Sequence, residues 1–151
     1  MNVDGHQKKT SGFIKSFEHH CLGGKVIEVI QGHDDPVLAY QMIEALLDKA
    51  PDLSGIFIAT VNSMPACHSL VNRKLGGKIR LITTDLFAEM KPFLEDGTIS
   101  ASLYQSPFTM GQRAMRVLVD IILFNSVPET SYLLSPPDSY GLKCASISRD
   151  E

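Results

Sequence analysis

The sequence predicts an α/β domain in which a parallel sheet is flanked by helices on both faces. Three observations carry that expectation. Short apolar runs at 53–60, 79–82 and 99–104 read as strands and alternate with longer segments of helical periodicity. The run Leu53 to Thr60 is nearly continuously apolar, the pattern of a parallel strand covered on both sides. Strands alternating with helices imply right-handed crossovers, which require parallel pairing.

Taken in order, the apolar positions Phe13, Ile14 and Phe17 predict a first helix from about Gln7 to Cys21, before Gly23-Gly24. Lys25 to Ile30 mixes β-branched residues with alternation and predicts a strand. Gly32 to Asp35 is a turn. Asp35 can cap the next helix, with Pro36 at its first position, where a missing N–H costs nothing. Val37, Tyr40, Ile43, Leu46, Leu47 and Ala50 mark one face of that helix, and Pro51 ends it. A helix over Met64 to Lys74 follows the strand 53–60. Strand 79–82 leads to a helical stripe of Phe87, Met90 and Leu94, in which Pro92 is a difficulty, because a proline belongs near a helix start. Strand 99–104 leads to Ser106-Pro107, a strong start for a helix ending near Asn125. Short strands are expected at 131–134 and 140–144. No repeat, linker or low-complexity segment interrupts residues 1–151, which read as a single domain.

Composition bounds the function. Hydrophobic residues make up 44% and charged residues 21%, the proportions of an ordinary globular chain. Net charge is −3 with no basic face in prospect, so direct DNA binding is not expected. No apolar run reaches the ~20 residues of a membrane helix. Cys21, Cys67 and Cys144 lie far apart and are odd in number, which points to reduced thiols and a cytoplasmic location. His19-His20-Cys21 has metal-like composition, but adjacent helical residues diverge and structural zinc needs four ligands. There is no phosphate loop and no nucleophile elbow. Neither an enzyme nor a cofactor is expected.

The candidate site lies where strands meet helices. Asp85 ends the run Ile79 to Thr84, and Gln105 ends the run Ile99 to Tyr104. Polar side chains at the carboxyl edge of such a sheet are how open α/β folds build ligand sites. An ionised carboxylate accepts hydrogen bonds from vicinal hydroxyls, and an amide both donates and accepts. Asp85 could equally be a helix cap, or serve both purposes. Asn62 sits in the equivalent loop after the preceding strand and has the same two readings. Lys9, on the first helix, is either a fourth contact or a solvated charge.

The motifs KKTSGF (Lys8 to Phe13), IFIATVNSM (Ile56 to Met64), IRLITTD (Ile79 to Asp85) and LEDGTISASLYQSPFTMG (Leu94 to Gly111) occur in that order. The ordered set resembles the effector-binding core of LacI/GalR-type transcriptional regulators, themselves similar to periplasmic sugar-binding proteins. The resemblance spans about Lys8 to Cys144. It implies one lobe of a periplasmic-binding-protein-like fold, the second lobe onward, with a DNA-binding domain and a first lobe upstream. It implies that Lys9, Asn62, Asp85 and Gln105 bind a small carbohydrate-like effector. It also implies operator DNA as a partner only through that upstream domain, and a homodimer. Lys9 stands where the family has arginine, keeping the charge but losing its planar fork. Val61 replaces a hydrogen-bonding residue, and Thr83-Thr84 replaces a glycine-aromatic pair. With its partner lobe missing, the helix 107–125 is expected to pack on this domain or to associate between chains. The alternative reading is a solute-binding protein of a sugar transporter or sensor system, placed outside the cytoplasm.

Overall fold

In the computed structural model residues 4–127 are described, apart from Leu22. The strands expected at 131–134 and 140–144 lie outside that range. The elements run α1 (Asp4–His20), α2 (Pro36–Lys49), β1 (Gly55–Phe57), α3 (Met64–Asn72), β2 (Arg80–Thr84), a 3-10 turn (Ala88–Met90), α4 (Lys91–Glu95), β3 (Ile99–Leu103) and α5 (Pro107–Phe124). The three strands form one sheet in the order β1-β2-β3, and both pairings are parallel. The α/β architecture expected from periodicity is therefore present.

Helices cover both faces, unequally. Side chains alternate across a strand, so Ile56 and Phe57 point to opposite sides of the sheet. Ile56 packs into the main core, where Ile43 and Leu47 of α2 meet Ala66, Cys67 and Leu70 of α3, Leu81 of β2, Met90 and Ile99. Phe57 faces the other way and stacks on Phe13 of α1, ring centroids 4.7 Å apart. Ion pairs close the α2–α3 layer: Arg73 Nε lies 2.8 Å from Glu44 Oε2, and its Nη1 lies 2.6 Å from Asp48 Oδ1. Asp35 caps α2 as expected, its Oδ1 accepting from the Val37 and Leu38 amides.

Local chemistry explains where the elements break. Pro92 does not interrupt a long helix. The chain makes a 3-10 turn over Ala88–Met90 and starts α4 afresh at Lys91, which leaves Pro92 in the first turn, where it is tolerated. Gly97 then adopts φ +78, a region open to glycine, and turns the chain into β3.

One expectation fails, and one of the two alternatives held for the helix 107–125 is not realised. Lys25 to Ile30 does not form a strand, and Ile27 and Val29 are exposed. β-branched residues suit a strand only when a neighbour takes their N–H and C=O groups, and β1 pairs with β2 alone among the described residues. The helix expected at 107–125 forms, but α5 does not pack back on the domain. None of its residues is buried, and Phe108, Met115, Ile122 and Phe124 are 60–74% exposed. Among the described residues no helix is long and apolar enough to cross a membrane.

Candidate functional site

Parallel pairing puts the carboxyl ends of β1, β2 and β3 along one edge of the sheet, so the loops that follow them are neighbours. β2 delivers Asp85 there and β3 delivers Gln105. The two side chains meet: Gln105 Nε2 donates to Asp85 Oδ1 at 3.2 Å and to Oδ2 at 3.4 Å. Asp85 is half-buried and Gln105 exposed.

The backbone at Asp85 is specialised. Its φ is +66, the left-handed region that aspartate enters more readily than most side chains. Three groups from β3 and its end hold it there. The Asp85 amide donates to the Leu103 carbonyl at 2.8 Å. The Ser102 hydroxyl donates to the Asp85 carbonyl. Gln105 holds the carboxylate. The capping reading of Asp85 is not realised, because the 3-10 turn that follows is capped at Phe87 and the Asp85 carboxylate is engaged by Gln105 instead.

Asn62 lies in the loop after β1, half-buried. Its backbone amide donates to Thr60 Oγ1 at 3.3 Å, and the Thr84 hydroxyl donates to the Thr60 carbonyl at 3.0 Å, which ties this loop to the end of β2. α3 begins after Ser63, so the Asn62 side chain does not cap it. Lys9 is half-buried on α1, one turn before Phe13, whose ring rests on Phe57 at the end of β1. No hydrogen bond or ion pair joins Lys9 to Asp85 among the described residues. The structure thus brings Asp85 and Gln105 into contact, sets the Asn62 loop beside them, and leaves Lys9 on an adjoining helix.

Sequence reasoning missed Ser102 and Thr84. Both are almost fully buried hydroxyl residues inside strands. A small polar residue in an apolar strand is the signal they carry, and Thr84 adds to it the Thr83-Thr84 departure from the resembled family. A separate depression of about 480 Å³ lies between the N-terminal ends of α2 and α3, lined by Val37, Tyr40, Met64, Pro65 and His68 among others, and does not include Asp85 or Gln105. Among the described residues no group of three or more His, Cys, Asp or Glu could hold a metal ion.

A sheet with helices on both faces and convergent polar groups on its carboxyl edge suits a binding protein. Residues 1–126 match the periplasmic binding protein domain family. The chain belongs to that family. Over 87 residues, 57% of the chain, it is 24% identical to the D-allose-binding periplasmic protein of Escherichia coli K12 and covers 28% of that protein. A sugar-binding protein of a sugar ABC transporter from Bacillus halodurans superposes with a TM-score of 0.78 at 26% identity, over 85% of this chain and 44% of that one. A periplasmic solute-binding protein of an ABC transporter from Actinobacillus succinogenes 130z, solved with bound D-allose, superposes with a TM-score of 0.77 at 20% identity, over 88% and 46% respectively. The chain spans less than half the length of each of these proteins.

These relatives overturn two expectations. The leading functional reading, a LacI-type transcriptional regulator, gives way, because the matched proteins are described as sugar-binding and transporter proteins. The motifs behind that reading are a stretch of α1, strand ends, a turn and a helix start, which are elements of the fold itself and therefore could not separate a regulator from a transport protein. The cytoplasmic location falls with it, since the relatives are periplasmic. Cysteine count misled there: Cys67 is completely buried beside Ala66 and Leu70, so it reports packing and not compartment. Operator DNA and a homodimer receive no support from the same relatives.

Proposed function

We propose that this chain is one lobe of a solute-binding protein that captures a small carbohydrate outside the cytoplasm for a sugar transporter or sensor system. The observation that carries the reading is the Asp85–Gln105 pair, held at the carboxyl edge of the sheet. A sugar presents adjacent hydroxyls that donate and accept. The Asp85 carboxylate accepts hydrogen bonds from those hydroxyls, and the Gln105 amide, which otherwise serves to orient that carboxylate, adds both a donor and an acceptor. Asn62 supplies a second amide from the neighbouring loop, and Lys9 supplies a cation from α1. The work is binding and not turnover. In the whole protein a second lobe closes over the sugar, and the closed form is what a partner recognises.

The test is a titration of the chain with a panel of pentoses and hexoses, D-allose included, followed by amide NMR so that weak binding registers. The expected result is selective movement of the Asp85, Gln105 and Asn62 signals with at least one sugar. A hydrogen bond to a charged group contributes about 1.5–3 kcal/mol, so Asp85→Ala should weaken that sugar roughly tenfold to a hundredfold. Unchanged affinity in Asp85→Ala would remove Asp85 from the site.

A further inference from the structure

We infer that Ser102 is a positioning residue for ligand binding, acting through the backbone of Asp85. This rests on the sugar-binding reading above. Ser102 is 4% exposed, so its side chain cannot reach a ligand at the carboxyl edge of the sheet. Its hydroxyl is spent on one contact, donation to the Asp85 carbonyl. That carbonyl belongs to a residue at φ +66, a conformation few side chains tolerate without support. The Asp85 amide is held on the other side by the Leu103 carbonyl at 2.8 Å. The two bonds, from adjacent residues of β3, grip the Asp85 peptide groups fore and aft.

The consequence is directional. With the Ser102 hydroxyl removed, the Asp85 carbonyl loses its buried partner, and the residue is free to turn about its N–Cα bond from φ +66 toward the negative φ that ordinary residues prefer. Rotation there re-aims the Asp85 side chain and breaks its contact with Gln105, so two groups leave the site together. The Leu103 bond fixes only the peptide before Asp85, and Gln105 cannot hold the rest, because its amide bonds the carboxylate at 3.2 and 3.4 Å and is exposed to water. The buried hydroxyl is the firmer hold.

The experiment titrates the chain and its variants with the sugar that binds the parent best. Ser102→Ala is expected to weaken binding roughly tenfold, the loss of about one hydrogen bond's worth of orientation. Ser102→Thr keeps the hydroxyl and is expected to recover most of that loss. In an Asp85→Ala background Ser102→Ala is expected to add nothing, since both act through one carboxylate. Ser69→Ala removes another buried serine hydroxyl, one that donates to Glu44 in the α2–α3 layer, and is expected to leave affinity unchanged. Parent-like affinity in Ser102→Ala, with binding lost in Asp85→Ala, overturns the clamp and leaves the site standing. Parent-like affinity in both variants overturns the site, and the clamp with it. A readout without ligand decides the backbone step. The three-bond HN–Hα coupling of Asp85 is expected to change in Ser102→Ala, and an unchanged coupling refutes the proposal whatever the titrations give.

Discussion

Leu70→Ala and Ile122→Ala remove comparable amounts of hydrocarbon from two helices with opposite surroundings. Leu70 on α3 is fully buried, among Ile43, Leu47, Leu81, Met90 and Ile99. Losing its isopropyl group forfeits about 2 kcal/mol of transfer free energy, at ~0.8 kcal/mol per methylene-sized group. The cavity left behind raises the cost to about 3–4 kcal/mol. Native domains are stable by only ~5–15 kcal/mol, so this is a large share, the more so because the core sits mainly on one face of the sheet. Ile122 on α5 is 68% exposed. Its truncation gives up little burial, and the better helix propensity of alanine offsets part of that, so the net change should stay within about 0.5 kcal/mol. Urea unfolding at matched m-values measures both. A cost below about 1 kcal/mol for Leu70→Ala would show that Leu70 is not the centre of the core. A cost above about 1.5 kcal/mol for Ile122→Ala would show that α5 is packed in solution and refute its exposed position.

Two further predictions concern charge and thiol chemistry. Hydrogen bonds from Arg73, with help from the Ser69 hydroxyl, hold the Glu44 carboxyl below its ordinary value of 4.5, and Arg73 likewise lowers Asp48 from 3.8. Because the folded values are the lower ones, the unfolded chain binds more protons in this range. The stabilisation is therefore present above pH 4.5 and is lost as pH falls below it. Arg73→Met should flatten the acid limb of a stability-versus-pH curve, and an unaltered limb would dismiss the network. Burial pushes the Cys67 thiol up to about 11, whereas Cys21 is exposed. A thiol reagent at mildly alkaline pH should label Cys21 promptly and Cys67 only as the chain unfolds, as peptide mass mapping would read; prompt labelling of both would contradict the packing of α3.

The placement of the candidate site residues was legible because strand ends and helix starts have local chemistry. Asp85 follows an apolar run and precedes a helical stripe, and Gln105 stands between a strand and Ser106-Pro107, so their place on one edge needed only parallel pairing. What held Asp85 was not legible. The Ser102 bond spans seventeen residues, and a positive φ at an aspartate leaves no mark in composition. The failed strand at 25–30 and the bare face of α5 share a cause: both patterns describe an element that has a partner, and the pattern is the same when no described element pairs with it. The regulator reading failed for a related reason, since motifs that build a fold are common to all the functions the fold serves.

By itself, then, the sequence determined the alternation of helices and strands, the Asp35 cap, and which residues stand where β2 and β3 end. These depend on neighbours a few positions away, through periodicity, capping and the stiffness of proline. Tertiary structure alone decided that Gln105 touches Asp85, that Ser102 grips its carbonyl, and that α5 is uncovered among the described residues. Each of these depends on which surfaces meet, and that is settled by packing between elements far apart in the chain.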